Sequence, residues 1–307
     1  MTNTKMPGHI ALLTANIIFG INTPISRSLI PEIISPLALT FFRMAGAMFL
    51  FWFISLFTRK EHVPSKDILL LFFASSFALV LNQMPFIVGL SMTSSIDASI
   101  IVTLVPVISM LLAAIFIKEP ITLKKVTGVI IGASGALILI LNQEQRTGNG
   151  NFWGNLLVLS AVLSYSLYLT LFKNLITRYT PVTLMKWMFL FASILCFPFC
   201  YKPLINTDYT GLPADAYLRI AYVVVAATFI TYFLIPIGQK ALRPTTVSMY
   251  NYVQPIVTAL AAIALSMDVF SWDKGVSAIL VFIGVYFVTT SKSKAQMEAK
   301  KKGIVKG

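Results

Sequence analysis

Ten apolar stretches follow one another along the chain, near residues 9–28, 37–57, 68–89, 95–117, 123–142, 153–172, 182–201, 217–237, 245–266 and 273–291. Each is close to the ~20 residues that a helix needs to cross a hydrocarbon core of ~30 Å. The stretches also repeat. Gly89, Pro106, Glu119 and Gly135 recur as Gly238, Pro255, Asp268 and Gly284, every one displaced by 149 positions in a chain of 307. Ser99 with Ser248 and Lys125 with Lys274 keep the same register. A chain rich in Leu, Ile, Val and Ala yields coincidences, so the weight rests on helix breakers and acidic end markers falling together. Duplication of this kind in an apolar chain points to a carrier assembled from repeats.

The expected fold is an all-α integral membrane protein of ten transmembrane helices in two five-helix repeats. Residues 1–147 form the first repeat and 148–307 the second, which ends in a basic tail. Helices rather than barrel strands follow from the length of the stretches and their lack of strict alternation. Charged residues are only 11% of the chain and hydrophobic ones 57%, against roughly 25% charge in soluble domains. The first apolar stretch outruns a signal peptide and has no small-residue cleavage site, so it is expected to stay as a span. The longest connection, Lys202 to Ala216, leaves no room for a soluble catalytic domain.

The net charge of +13 would suggest nucleic acid in a soluble protein, but here its distribution excludes that partner. With the N-terminus in the cytoplasm, the inner side collects Lys5, Arg59, Lys60, Lys66, Lys118, Lys124, Lys125, Lys173, Arg178, Lys240, Arg243 and six tail lysines. The outer side holds only Arg27, Arg146, Lys202, Arg219 and Lys274. This positive-inside bias puts both termini in the cytoplasm of what reads as a bacterial inner membrane protein. The tail lysines suit anionic headgroups of the lipid bilayer. Because five spans is an odd number, the second repeat enters from the opposite side, and two inverted halves supply the two states of alternating access.

Pro106 and Pro255 fall about halfway along spans four and nine, where each removes a donor and loosens the helix. They are the expected hinges, and carbonyls freed beside them favour a polar cavity near the midplane. In span nine Ser248, Asn251, Tyr252, Pro255, Ala259 and Ala262 share one stripe, with Gln254 on its flank. The repeat maps that stripe onto Ser99, Val102, Thr103, Pro106, Met110 and Ala113. Further polar groups within spans are Asn16 and Asn22, Asn82 and Gln83, Ser164, Tyr165 and Tyr168, and Thr228, Thr231 and Tyr232. The candidate substrate-binding residues are thus Asn251, Gln254, Tyr252, Ser248, Asn82, Gln83, Asn22, Thr103, Ser99, Tyr168 and Tyr232. For Asn251 and Gln254 a purely structural interhelical hydrogen bond competes with this role.

Three charges stand apart. Lys186 is shallow enough in its span to snorkel. Arg43 is either an interfacial anchor or the partner of a substrate anion. Asp97 either carries a coupling proton or caps its helix beside Ser94 and Ser95. Cys196 and Cys200, one turn apart, read as apolar packing rather than a metal site. His9 and His62 read as interface residues. No cofactor or metal is called for.

Ten spans in two fives, the Pro-Leu-Ala-Leu-Thr-Phe-Phe-Arg run at Pro36 to Arg43, acidic residues closing spans four and nine at Glu119 and Asp268, and Gly128, Gly132, Gly135 and Gly284 together resemble the drug/metabolite transporter superfamily, and within it the EamA-like permeases. The resemblance implies a basket of ten helices around a cavity lined by spans one, three, four, six, eight and nine, and secondary export of amino acids or other small metabolites. The second half departs from it: Met188 stands opposite Arg43, and Val269 opposite Pro120. A sugar-phosphate or nucleotide-sugar exchanger is the alternative within the superfamily, and a membrane scaffold or sensor the alternative outside it. An intramembrane enzyme lacks its nucleophile and its paired aspartates, and the chain has no P-loop for ATP. Proton coupling through Asp97 and facilitated diffusion both remain open. A small-molecule substrate is the expected partner, and nothing in the chain demands more than a monomer.

Overall fold

The computed structural model describes residues 5–30, 32–92, 101–102, 104–143, 152–264 and 272–292. Among them every regular element is a helix. The rods are α1 (Met6–Arg27), α2 (Pro36–Ser55), α3 (Ser65–Ser75, Ser76–Val80 and Leu81–Met92 in sequence), α4 (Val105–Phe116) and α5 (Leu123–Gln143). The second half brings α6 (Phe152–Leu171), α7 (Pro181–Ile205), α8 (Ala214–Val224, Val225–Ile230 and Thr231–Ala241), α9 (Pro244–Met249, Tyr250–Tyr252 and Val253–Ala264) and α10 (Trp272–Thr289). A short helix, Lys173–Arg178, joins α6 to α7.

Local chemistry sets several of the ends. Proline occupies the first turn of α1, α2, α4 and α7, where a missing amide hydrogen costs nothing and the fixed φ suits the helix. Thr180 caps α7 by accepting the Thr183 amide at 3.4 Å. Lys118 closes the chain after α4 with φ 53°, and the turn brings the Glu119 amide to the Ala113 carbonyl at 3.0 Å. That bend aims the Glu119 side chain back into the protein, where it is 7% exposed.

Six rods among the described residues are long and apolar enough to cross a membrane: α1, α2, α3, α6, α7 and α8. Val105–Phe116 and the Ile279–Thr289 part of α10 are apolar but shorter. The main packing partners are α1 with α8 and α9, α6 with α3 and α4, α2 with α7, α4 with α9, and α5 with α10. Exchanging each helix with the one five places later turns this set of pairs into itself. The core follows that arrangement, with Phe51, Leu71, Leu79, Met188 and Phe189 fully buried between α2, α3 and α7. Cys196 and Cys200 are free and buried in the same cluster.

Glycines act where rods cross. A Cβ on Gly284 of α10 would lie 2.6 Å from the Gly128 carbonyl oxygen of α5, and one on Gly132 would lie 2.8 Å from the Tyr252 ring. Without an aqueous driving force between spans, such close approach is what holds the rods together. Gly89 meets Gly154 on α6, its Cβ position 2.8 Å from that carbonyl oxygen, and Gly238 meets α1 at Leu12 and Gly8. The two repeat-related glycines therefore perform equivalent crossings on α6 and α1.

Local irregularities recur as well. The π-helical turns Ser76–Val80 and Val225–Ile230 begin 149 positions apart. The Leu104 amide bonds the Ile101 carbonyl at 3.0 Å, and the Val253 amide bonds the Tyr250 carbonyl in the equivalent tight turn. Pro106 and Pro255 follow these turns as the second and third residues of new helical segments. Pro255 thus lies about halfway along α9, just behind its 3₁₀ turn, and Pro106 in the first turn of α4, where a missing amide hydrogen has no partner to lose.

Candidate functional site

The widened turns on α3 and α8 place a set of polar side chains between α2, α3 and α8. A π turn leaves backbone carbonyls without regular partners, and π turns occur frequently at functional sites. In α8 the Thr228 hydroxyl donates to the Val223 carbonyl at 2.8 Å, and Thr231 donates to the Ala227 carbonyl at 2.8 Å. In α3 Ser76 does the same to Phe72 at 2.9 Å. Thr228 Oγ1 also accepts from Arg43 Nε at 3.0 Å. Arg43 Nη1 donates to Gln83 Oε1 at 3.3 Å. The amide of Gln83 then donates to Tyr232 Oη at 3.2 Å and to Asn82 Oδ1 at 3.3 Å, and Asn82 donates to the Ala161 carbonyl at 3.1 Å.

Gln83 and Tyr232 are 149 residues apart, so repeat-related positions touch at this point. Arg43 is seven residues into α2, about 10 Å along the helix, and half-buried. A guanidinium at the centre of a spanning helix costs about 2.5–3.5 kcal/mol on insertion scales, and such groups mark functional sites by default. The ion pairs among the described residues lie elsewhere: Lys125–Glu119, Arg178–Asp67, Arg219–Asp215 and Arg243–Glu119. Phe189 and Phe19 meet the Tyr232 ring edge-on at 5.1 and 6.1 Å, and the ring of half-buried Tyr165 lies 6.2 Å from that of Tyr168, tilted by 31°.

A second polar junction joins α1 to α9. Gln254 donates to Asn16 Oδ1 at 2.7 Å, Asn16 donates to the Leu12 carbonyl at 2.8 Å, and Thr258 donates to the Gly20 carbonyl at 3.0 Å. Gly20 permits the approach, since its Cβ would lie 2.5 Å from Val257 Cβ. Asn22 accepts from Ser26 within α1 at 3.1 Å. Asn251 is half-buried in the tight turn of α9.

The remaining sequence candidates are spread more widely. Ser248 is fully buried and donates to the Thr245 carbonyl at 2.9 Å. Tyr252 is 1% exposed, its ring against Gly132 of α5. A 3₁₀ turn at Tyr250–Tyr252 lies within the stripe, and Gln254, two residues beyond Tyr252 and on the stripe's flank, is about 200° from it around a helix. Gln254 turns toward α1 while Tyr252 turns toward α5. Tyr168 is buried and donates to Gln239 Oε1 at 3.1 Å, joining α6 to α8. Asp97, Ser99 and Thr103 lie outside the described residues.

Periodicity alone missed a buried ionic cluster beyond α4. Lys125, 1% exposed, donates to Glu119 Oε1 at 2.9 Å and to the Pro120 carbonyl at 2.8 Å. Thr245 donates to Glu119 Oε2 at 3.3 Å, and Arg243 stands 3.6 Å from Glu119 Oε1. Nearby, the Lys173 ammonium donates to the Gln239 carbonyl and to the Leu242 carbonyl at 2.7 Å. Burial pushes the Lys173 ammonium down to about 8, with Glu119 opposing. The repeated acidic end markers were a sequence signal for this cluster, although they did not reveal the partners. Lys186 has a further role, standing over the Trp52 ring at 5.1 Å in a cation–π contact.

Long apolar rods and polar side chains bonded across their interior define a multi-pass integral membrane protein. The EamA-like transporter family model matches residues 6–141 and again 152–290. The chain belongs to that family, and with it to the drug/metabolite transporter superfamily. An uncharacterized transporter of Archaeoglobus fulgidus is 26% identical over 261 residues, covering 84% of this chain and 90% of its own. Another from Methanothermobacter thermautotrophicus is 24% identical over 92% of this chain and 86% of its own, and a WAT1-related protein of Arabidopsis thaliana is 26% identical over 90% and 83%. A solved crystal structure superposes over 98% of this chain and 99% of its own with a TM-score of 0.76 at 14% identity, which establishes likeness of fold alone.

Proposed function

We propose that the protein is a secondary carrier that exports small polar metabolites such as amino acids, by alternating access between two inverted five-helix repeats, residues 1–147 and 148–307. Ten spans, cytoplasmic termini and a bacterial inner membrane complete this reading, and one copy suffices for the mechanism. The contact of Gln83 with Tyr232, 149 positions away, carries it. A place where equivalent residues of two halves meet is a place where the halves exchange roles, and polar groups there are costly in lipid unless they line water or hold a solute. The self-mapping set of helix pairs and the paired π turns support the same axis. Rocking of α3 and α8 about their widened turns opens the centre to one side and then the other, while the glycine crossings stay packed.

Metabolite profiling of cells that lack or overproduce the protein tests this. Overproduction is expected to raise a small polar metabolite outside the cell, and deletion to retain it inside. Unchanged profiles in both strains would remove the carrier reading, and movement of phosphorylated sugars without any amino acid would favour the exchanger instead.

A further inference from the structure

We infer that Arg43, framed by Gln83, Tyr232 and Thr228, binds the carboxylate of a small monocarboxylic solute; this rests on the carrier reading and names the chemistry of its cargo. The guanidinium stays charged under all physiological conditions. Two of its N–H groups are engaged, by Thr228 Oγ1 at 3.0 Å and Gln83 Oε1 at 3.3 Å, and both acceptors are neutral. Neutral acceptors hold the planar group in one orientation without cancelling its charge. Among the described residues no carboxylate pairs with it: the acids of the ion pairs are Glu119, Asp67 and Asp215. Three of the five guanidinium donors are left, and a forked, oriented donor set matches a carboxylate in two parallel hydrogen bonds.

The surroundings limit the anion. One cation balances one negative charge, so a phosphate dianion or a dicarboxylate would leave charge uncompensated in a low-dielectric centre. Half-buried Phe19, edge-on to the Tyr232 ring at 6.1 Å, gives the rest of the solute an apolar wall, and Phe189 backs the Tyr232 ring from the core at 5.1 Å. The Tyr232 hydroxyl already accepts from Gln83 and retains its own hydrogen to donate to the second carboxylate oxygen. Arg43 also connects the two halves, bonding α3 through Gln83 and α8 through Thr228. A carboxylate arriving there engages the same guanidinium that links them.

The test uses full-length protein, purified for thermal unfolding and reconstituted for flux. Proteoliposomes are loaded with matched probes: phenylalanine and 3-phenylpropionate as carboxylates, their primary amides, phenethylamine, and glucose 6-phosphate. At least one free carboxylate is expected to leave and to raise the unfolding temperature, with its amide inactive in both measurements. Arg43→Gln is expected to lower carboxylate flux on the order of 30-fold or more and to abolish the ligand-induced shift, while the ligand-free protein still unfolds cooperatively. Arg43→Lys restores part of the binding, since an ammonium keeps the charge but not the fork. Amides leaving as fast as acids, glucose 6-phosphate preferred over both, or Arg43→Gln retaining the carboxylate-induced shift would overturn the assignment and leave the carrier reading standing. A carboxylate-induced shift lost in Arg43→Gln, with no probe moved by the wild type, supports the site and removes the carrier reading.

Discussion

Two cations held between helices of this protein are treated in opposite ways. Lys125, beyond α4, is closed in by the Glu119 carboxylate and the Pro120 carbonyl, with side chains only 1% and 5% exposed. Among the described residues Arg43, between α2, α3 and α8, donates to a threonine hydroxyl and a glutamine amide oxygen, both neutral. The first site is complete as it stands, and its charges serve to fasten the α4–α5 connection to Arg243 and Thr245 of the second half. The second site is oriented but electrically open. A lone charge held in place by neutral groups has stability to gain from an anion that a completed ion pair does not.

Removing the acid from the first site and the cation from the second breaks the comparison most sharply. Glu119→Ala leaves the Lys125 ammonium buried with one carbonyl, and stranding one partner of a buried pair costs about 3–5 kcal/mol. The expected outcome is a large fall in unfolding temperature and in the amount of protein recovered from membranes. Replacing both partners, as Glu119→Leu with Lys125→Met, is expected to regain most of that loss. Arg43→Gln, in contrast, should leave the ligand-free unfolding temperature within a few degrees of wild type or above it. Equal destabilisation by Glu119→Ala and Arg43→Gln would mean that Arg43 has a hidden counter-charge.

Next in size is the crossing that holds α5 to α10. Gly284→Leu places side-chain atoms where a Cβ alone would lie 2.6 Å from the Gly128 carbonyl oxygen. Backbone cannot retreat as a flexible side chain can, and overpacking costs typically 1–3 kcal/mol. Unfolding temperature is expected to fall while Arg43-dependent carboxylate binding persists in the protein that remains folded, because this crossing lies apart from the α2–α3–α8 centre. Loss of binding at full stability would show that α10 shapes the centre.

Smaller effects are expected at the α1–α9 junction. Gln254→Ala removes the 2.7 Å bond to Asn16, and interhelical hydrogen bonds in membranes average about 0.6 kcal/mol. Insertion and stability should change little. Transport should fall in Gln254→Ala and in Asn251→Ala if α9 contributes to the solute path; full flux in both would confine recognition to the Arg43 centre.

How much of this was legible beforehand depends on what kind of residue carries it. Glycines and prolines announced the repeat because a crossing at Gly284 or a proline behind a tight turn, as at Pro255, tolerates few alternatives. Polar residues inside spans were visible one by one, so Gln83, Tyr232, Asn82 and Gln254 could be named. Their partners could not, since helical spacing assigns a face and says nothing of which rod lies opposite. The π turns at Ser76–Val80 and Val225–Ile230 have no residue signature, and without them the convergence of Gln83 with Tyr232 was hidden. On α9 helical spacing puts Gln254 beside the Ser248–Asn251–Tyr252 stripe, but it does not tell that Gln254 meets Asn16 of α1 while Tyr252 packs on Gly132 of α5.

Lys173 lies between the two regimes and provides the finest test of the contrast. Its ammonium is packed against the Gln239 and Leu242 carbonyls, and Glu119 acts on it electrostatically without pairing. Burial lowers its pKa from 10.5 to about 8. Between those two values the unfolded chain holds a proton that the folded protein releases, so stability rises with pH across that window; below about 8 both states are protonated and the cost of the buried charge is fully present. Lys173→Gln removes the titration. The unfolding temperature of the wild type relative to Lys173→Gln is expected to climb by roughly 2–4 °C between about pH 7.5 and 10, as a change of about 1 kcal/mol would produce in a chain of this size. A flat difference would mean that Glu119 offsets the burial of the Lys173 charge; a rising one places Lys173 with Arg43, held by neutral oxygens that orient a charge without cancelling it.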